Sequence, residues 1–596
     1  MIPQPIRTQV RDAVRRGWER AVAEGSLAPL GGDASAPDVE VEHPANPDHG
    51  DLATNLAMKL ARPYRKAPME IATLLAAKIV RDAADGPSPV EAVEVAPPGF
   101  LNVRIKPAAL EAVVDGILSE PGAWGQVEPT STRSVNVEFV SANPTGPLTV
   151  GNARGAFVGD LLSRVLEAGG QRVTREYYFN DVGGQIPNLG ASIVALKRGE
   201  PVPENGYHGE YVGELATQVP DEVWNEATAP GADSAALVGH WAAGLVREGI
   251  EASLERLGVH FDVWTTEASL HEAGWVERAV ERLREHGDVY ELDGAVWFRS
   301  TTYGDDKDRV IYRSNGEPTY FAADIGYVAE KFSRGFDHLI YIWGADHHGT
   351  IARNRGAAEA MGYPREHVQM LIMGWVHFVR PWQPGDDESK VRIVGGKKMT
   401  KVGMSKREGT FDTLDDLLAE VGIDAARWYF ASRSANMDID FDFGHLREVR
   451  ELVERRRLRE RTPGEDAEKG VDLGVYYVQY AHARIASILR KAEDAGLKPA
   501  MTVAGTLGDG PEAALARAIV RLPEVVEDAV GGEETQGITA YATELATAFH
   551  AFYRDARVID PAEPNRSASR LALARAAQVT LAQTLGLLGI SAPEAM

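Results

Sequence analysis

The segment Val135 to Asp160 constrains this chain more than any other. Val135, Val137 and Phe139 alternate with Asn136 and Glu138, the period of two that marks a strand. A loop follows, Asn143-Pro144-Thr145-Gly146-Pro147-Leu148-Thr149-Val150-Gly151-Asn152, and then Phe157, Leu161, Leu162, Val165 and Leu166 mark one face of a helix. A strand, a Gly-rich turn and a helix build an anion site. Helix-start amides and the positive end of the helix dipole face a phosphate, and glycine lets the backbone approach it. Gly151 alone would serve equally well in a tight turn where glycine is needed only for geometry.

The rest of the chain extends this unit. Further strands are expected at Arg172 to Phe179, His338 to Trp343 and Val368 to Met373, separated by helix-length segments. That order predicts a parallel sheet with right-handed crossovers. Residues 188–300 read as a polar, largely helical insertion. Ahead of the core, Ile6, Val10, Val14, Trp18 and Val22 recur every four positions as an amphipathic helix. Pro97-Pro98-Gly99 reads as a turn into a strand, and Glu120 to Arg133 as a linker. After about Asp424 the strand signal fades. Glu448 to Arg461 is a highly charged helix, and the pattern from Gly474 onward is helical. The fold class expected is a multidomain α/β protein. It has an α+β N-terminal domain (1–125), a Rossmann-type parallel-sheet core (130–425, with the 188–300 insertion) and an all-α C-terminal bundle (426–596).

Composition narrows the function classes. Of 596 residues, 44% are hydrophobic and 25% charged, an ordinary globular balance. The absence of cysteine removes disulfides, thiol nucleophiles, iron–sulfur clusters and Cys-ligated zinc, and fits a reducing compartment. No apolar run approaches the ~20 residues that span a bilayer, and the amphipathic start is unlike a signal peptide. A cytoplasmic protein with no membrane partner is expected. The net charge of −24 argues against bulk adhesion to nucleic acid but leaves room for a local basic patch. Adjacent His347 and His348 do not share a helix face and have no evident third ligand, so no metal site is read.

A second segment bears on chemistry. Gly395 to Gly409 sets five cations, Lys397, Lys398, Lys401, Lys406 and Arg407, in a glycine-rich stretch, followed by a helix start at Thr413-Leu414-Asp415-Asp416. A mobile cationic loop can neutralise charge building on a triphosphate during displacement at phosphorus.

With these two segments the chain resembles the arginyl-tRNA synthetases, a class I aminoacyl-tRNA synthetase family. The likeness runs through Val137 to Leu148, Tyr177 to Asp181, Gly304 to Val310, Pro318 to Ile325, Gly344 to Gly349, Tyr476 to Arg484 and Leu587 to Met596. It implies ATP-dependent activation of L-arginine to arginyl-adenylate, then transfer to the 3′ end of tRNA-Arg, usually with tRNA bound before activation. ATP would enter with Mg²⁺ as a substrate, with no prosthetic group and no zinc, and the family is usually monomeric. The resemblance assigns Glu138, Asn143, Tyr320 and Asp324 to the amino acid. A guanidinium is a planar fork of donors suited to carboxylates, so Glu138 and Asp324 are assigned to it. Asp324 lies one helical turn after Tyr320, which puts both on one side if the segment is helical. Pro147, Gly151, Asn152, Met404, Ser405 and Lys406 are assigned to ATP. Phe100 and Asn102 match positions that read a D-loop base, and Tyr477, Tyr480 and Met596 lie where the family holds the anticodon loop.

Two signatures depart from the family. His-Ile-Gly-His or His-Val-Gly-His becomes Thr149-Val150-Gly151-Asn152, so both phosphate-binding histidines are replaced by neutral donors. Lys-Met-Ser-Lys-Ser becomes Gly403-Met404-Ser405-Lys406-Arg407, with Lys401 the candidate for the missing lysine. Thr149, Gly151, Asn152, Lys401 and Lys406 are the catalytic candidates. The alternative is a non-catalytic paralogue that binds tRNA or arginine. A use of the adenylate outside tRNA charging is opposed by the two RNA-domain segments.

Overall fold

The computed structural model describes residues 4–30, 36–85, 88–402, 413–457, 474–508 and 510–596. Its centre is a five-stranded parallel sheet in the spatial order Val368–Met373, His338–Gly344, Ser134–Glu138, Arg172–Phe179, Val263–Thr266. The strand that comes first in the chain lies in the middle. The chain then builds outward to one side and later to the other, which opens a crevice at the carboxyl ends of the central strands.

The alternation seen in the first strand sorts its side chains between two layers. Val135, Val137 and Phe139 pack under the helix Val150–Ala168. Gly159 permits that approach, since a Cβ there would sit 2.2 Å from the Phe139 ring. Glu138 turns to the opposite layer, where the helices Trp275–Glu285, Tyr320–Ser333 and Ile351–Ala360 pack around Leu339 and Tyr341.

The segment 188–300 does not lie wholly outside this core. It holds helices such as Ser234–Arg256, but Val263–Thr266 is an edge strand of the main sheet. Ala295–Phe298 pairs with Val289–Leu292 on one side and Arg309–Tyr312 on the other in a separate antiparallel sheet. The long helix before it and the short helix Glu267–Glu272 directly after it hid a strand of only four residues, Val263–Thr266. The boundary expected near 425 also falls inside the core. Ile439–Phe441 pairs with Val376–Pro381, and Phe430, Ile439 and Phe441 belong to the core's apolar cluster. The charged helix runs Phe443–Arg457, and its expected end at Arg461 lies outside the described residues.

The N-terminal unit packs the helices Ile6–Ala23 and Pro68–Asp85 on a three-stranded antiparallel sheet. Five helices from Val475 to Leu587 form the C-terminal bundle. These two units, distant in sequence, share one apolar cluster. The expected linker is anchored between them: Trp124 is buried, and its indole N–H donates to Thr580 at 3.0 Å. Glu111 accepts the backbone N–H groups of Gly505, Thr506 and Leu507.

Arg427 ties the bundle to the core. Its buried guanidinium donates to Asp160 (2.7 Å) on the helix Val150–Ala168, to Leu257 O (2.7 Å) and to Leu588 O (3.2 Å). A Cβ at position 589 would collide with it, which accounts for Gly589. Removing one partner of a buried ion pair typically costs about 3–5 kcal/mol. Arg427→Met is therefore expected to lower stability by roughly 3 kcal/mol in urea unfolding, and a change below about 1 kcal/mol would show that the hub is not structural.

Candidate active site

A cleft of about 1170 Å³ opens at the carboxyl ends of the central strands. Its first wall is the turn leaving Ser134–Glu138. Val140 and Ser141 both have positive φ, 67° and 41°. For a β-branched residue that conformation is costly, and such strain persists only where neighbours hold it. Here Tyr178 N–H donates to Ser141 Oγ at 3.2 Å, and the Tyr177 hydroxyl both accepts from Ala142 N–H (2.9 Å) and donates to Ala142 O (3.0 Å). The loop then carries Asn143, whose amide donates to Gln185 at 2.7 Å.

The second wall is the start of the helix Val150–Ala168. Thr149 is its N-cap. The Thr149 N–H and hydroxyl both donate to Asn152 Oδ1, at 2.9 and 2.8 Å. The two residues that replace the signature histidines therefore bond to each other. This leaves the Asn152 amide N–H groups and the first helical amides as donors toward the cleft. A Cβ on Gly151 would meet protein only at 3.5 Å, so its smallness keeps the helix start open to a ligand. Behind the cap, Arg154 is buried and donates to Gly374 O, Ser434 O and Met437 O. It thereby pins the loops that close this side. Burial lowers its pKa to about 10.

The third wall is one face of the helix Tyr320–Ser333. Tyr320, Asp324, Tyr327 and Lys331 follow one another at spacings of four, three and four residues. Tyr320 is 61% exposed at the mouth, and the three below it lie progressively deeper. Burial pushes the Asp324 carboxyl up to about 7, against the pull of Arg353 and a long 3.5 Å hydrogen bond from Asn354. Tyr178 donates to the buried Glu267 at 2.9 Å, and burial raises that carboxyl as well. Four buried polar atoms around this end, Asn180 Oδ1, Tyr341 OH, Arg353 Nε and Asn354 Oδ1, have no hydrogen-bond partner among the described residues. Polar groups left in this state are where a ligand completes the hydrogen bonding.

The fold thus brings Glu138, Asn143, Pro147, Thr149, Gly151, Asn152, Tyr320 and Asp324 to one cleft. Other residues read from the sequence stand elsewhere. Lys397–Val402 is a strand, paired with Val391–Val394 and Val376–Pro381, so this half of the cationic segment is not a loop. Lys401 does not line the cleft, and Lys398 is held by Glu388 and the Trp382 ring. Met404, Ser405 and Lys406 lie outside the described residues. Phe100 is 38% exposed, whereas Asn102 is buried in the central strand of the N-terminal sheet. Tyr477 and Tyr480 come together over His550, with ring centroids at 5.0 and 5.9 Å. The C-terminal tail that carries Met596 is held by Gln479 and His482 of the same helix. Sequence reading missed Tyr178, Glu267, Tyr327, Lys331 and Arg353. For Tyr327 and Lys331 the helical spacing from Tyr320 was the available signal.

Comparison with known proteins agrees with this architecture. Residues 6–105 match the arginyl tRNA synthetase N terminal domain, 113–208 the class I (R) tRNA synthetase catalytic domain, and 478–596 the DALR anticodon binding domain. An arginine–tRNA ligase of Bacillus licheniformis is 40% identical over 596 residues, covering 99% of each chain. That of Bacillus subtilis is also 40% identical, covering 99% of this chain and all of the relative. The chain belongs to the arginyl-tRNA synthetase family. It is a class I synthetase and an enzyme. The structure of Thermus thermophilus arginyl-tRNA synthetase shares the fold, with a TM-score of 0.70 at 22% identity over 99% of this chain. Within this family fold, the Thr149–Asn152 cap is a local stability element. Asn152→Ala removes the acceptor of two donors and is expected to cost about 1 kcal/mol in urea unfolding. An unchanged midpoint would mean that solvent replaces it.

Proposed function

We propose that this synthetase activates L-arginine with ATP and transfers it to tRNA-Arg, using the cleft between the Thr149 cap and the Tyr320–Ser333 helix. One observation carries the reading: buried Glu138 and half-buried Asp324 line one end of the cleft, and a helix N-terminus opens at the other. A cation and a polyphosphate therefore have separate, complementary places. The guanidinium meets Asp324 and Glu138, with Tyr320 closing the mouth and Asn143 nearer the α-amino and carboxylate end. The substrate carboxylate then faces the α-phosphate of ATP. Attack there forms the mixed anhydride and releases pyrophosphate, and the terminal ribose hydroxyl of tRNA displaces AMP.

Pro147, Gly151 and Asn152 would approach ATP, with helix-start amides and the Asn152 amide donating to phosphate oxygens. Thr149 serves them indirectly, since its hydroxyl is spent on Asn152. Met404, Ser405 and Lys406 would act from the segment outside the described residues, with Lys401 behind them. Magnesium would arrive on the triphosphate. Among the described residues no group of three or more His, Asp and Glu is placed to hold an ion by itself. Phe100 and Asn102 would meet the D-loop, and Tyr477, Tyr480 and Met596 the anticodon loop. Among the described residues no helix is long and apolar enough to cross a membrane, and we propose a cytoplasmic monomer. Nothing in the comparisons supports the alternative of a non-catalytic paralogue.

Arginylation of tRNA and arginine-dependent pyrophosphate exchange, with and without tRNA, test this reading. Tight tRNA binding with neither activity would overturn it. Asp324→Ala is expected to abolish arginine use while leaving tRNA binding intact, and unchanged arginylation would remove the pocket assignment. The pH profile follows from Asp324. Its carboxyl is protonated below about 7, so the arginine KM is expected to rise as pH falls through that value, about tenfold per unit well below it. A KM flat between pH 6 and about 8 would show that Asp324 does not face the guanidinium.

A further inference from the structure

Behind the amino-acid end of the cleft lies a lysine with no solvent exposure. Lys331 sits seven residues beyond Asp324 on the same helix face, and its ammonium is 2.6 Å from Glu138 Oε2. It also lies 4.1 Å from the ring centroids of Tyr327 and Tyr341. Burying an ammonium costs several kcal/mol unless partners repay it, and a leucine would fill a helix face at lower cost. Here a carboxylate and two aromatic faces repay it.

The charges around Glu138 can be counted. From the neighbouring strand, Glu176 is matched by Arg334 at 2.7 Å and by hydroxyl donors from Tyr327 and Thr265. Tyr178 on that strand and Tyr341 on the other side are uncharged phenols kept protonated by burial. Beyond Tyr178 lies Glu267, and Arg353 on the helix Ile351–Ala360 faces Asp324 from the other side; their opposite charges act on Asp324 in opposite directions and offset each other in the count. That leaves Glu138, Asp324 and Lys331 at the pocket base. Among the described residues Glu138 Oε1 accepts only a long 3.3 Å bond from Ser141, and it is the oxygen left for a ligand.

We propose that Lys331 is a positioning residue for the substrate: by holding one oxygen of Glu138 it leaves Glu138 and Asp324 with one uncompensated charge, matched to one guanidinium. This deepens the arginine reading above and rests on it. Without the Lys331 ammonium the Glu138 charge would act in full on Asp324, which it already pushes toward the protonated form. Half of the fork's acceptors would then be lost at neutral pH.

A double-mutant cycle on the full-length enzyme tests this, with Lys331→Met, Glu138→Gln and their combination. Arginine and ATP KM, kcat and the pH dependence of the arginine KM are read for each. Lys331→Met should raise the arginine KM about tenfold or more and leave the ATP KM within about twofold. It should also move the acid limb of the arginine profile to higher pH. The combined variant should be no worse than Glu138→Gln by more than about threefold. Additive losses, or a KM loss with an unmoved pH profile, would show that Lys331 only fills space and would overturn the proposal. Should Lys331→Met alone fail to fold, Glu138→Gln against the combined variant decides: a further loss of about tenfold overturns it. A wild-type enzyme that does not activate arginine at all would instead remove the functional reading.

Discussion

The buried guanidinium of Arg427 is the interaction on which the relative placement of the parts depends. It binds Asp160 on the signature helix, the carbonyls that end the long helix Ser234–Arg256, and the carbonyl of Leu588 at the end of the C-terminal bundle. A charge in an apolar interior needs partners, and a planar fork of five donors can reach several elements at once. The bundle is thereby set against the very helix whose first turn lines the cleft. A second link runs in parallel, since His338 at the start of a central strand bonds Glu533 of the bundle at 2.7 Å.

The cleft works by separating two kinds of charge. At one end a strained turn and a capped helix start present amide donors. At the other, carboxylates are buried where water cannot screen them. Burial raises Asp324 and Glu267 toward neutrality, so the site is costly when empty and is relieved by a cation. The Thr149–Asn152 pair fits this division. The family's histidines are gone, but the geometry of the helix start is kept by two donors of Thr149 that meet Asn152 Oδ1.

Much of this was legible in local patterns. The alternation of Val135, Val137 and Phe139 against Asn136 and Glu138 already sorted the two faces of the central strand. The four-residue step from Tyr320 to Asp324 placed one wall of the pocket, and the same helical face, followed by steps of three and four to Tyr327 and Lys331, would have reached its base. Where reading failed, the signal was short or mixed. The strand Val263–Thr266 has only four residues and runs straight into a short helix, and Lys397–Val402 looked like a loop because lysines occupy its exposed positions. Ile439–Phe441 is too brief to carry a period, so the core was expected to end near 425.

Periodicity, the Gly-rich turn and the ordered motifs determined, from the sequence alone, a parallel-sheet nucleotide-binding core flanked by two smaller units, because these are local properties of neighbouring residues. Which charges face one another was decided only by the tertiary structure. Lys331 reaches Glu138 across 193 positions, Arg427 reaches Asp160 across 267, and Trp124 reaches Thr580 across 456. No local pattern encodes such pairings, because each depends on how helices and strands stack in space, and the energy of a buried charge is set by the partner it meets there.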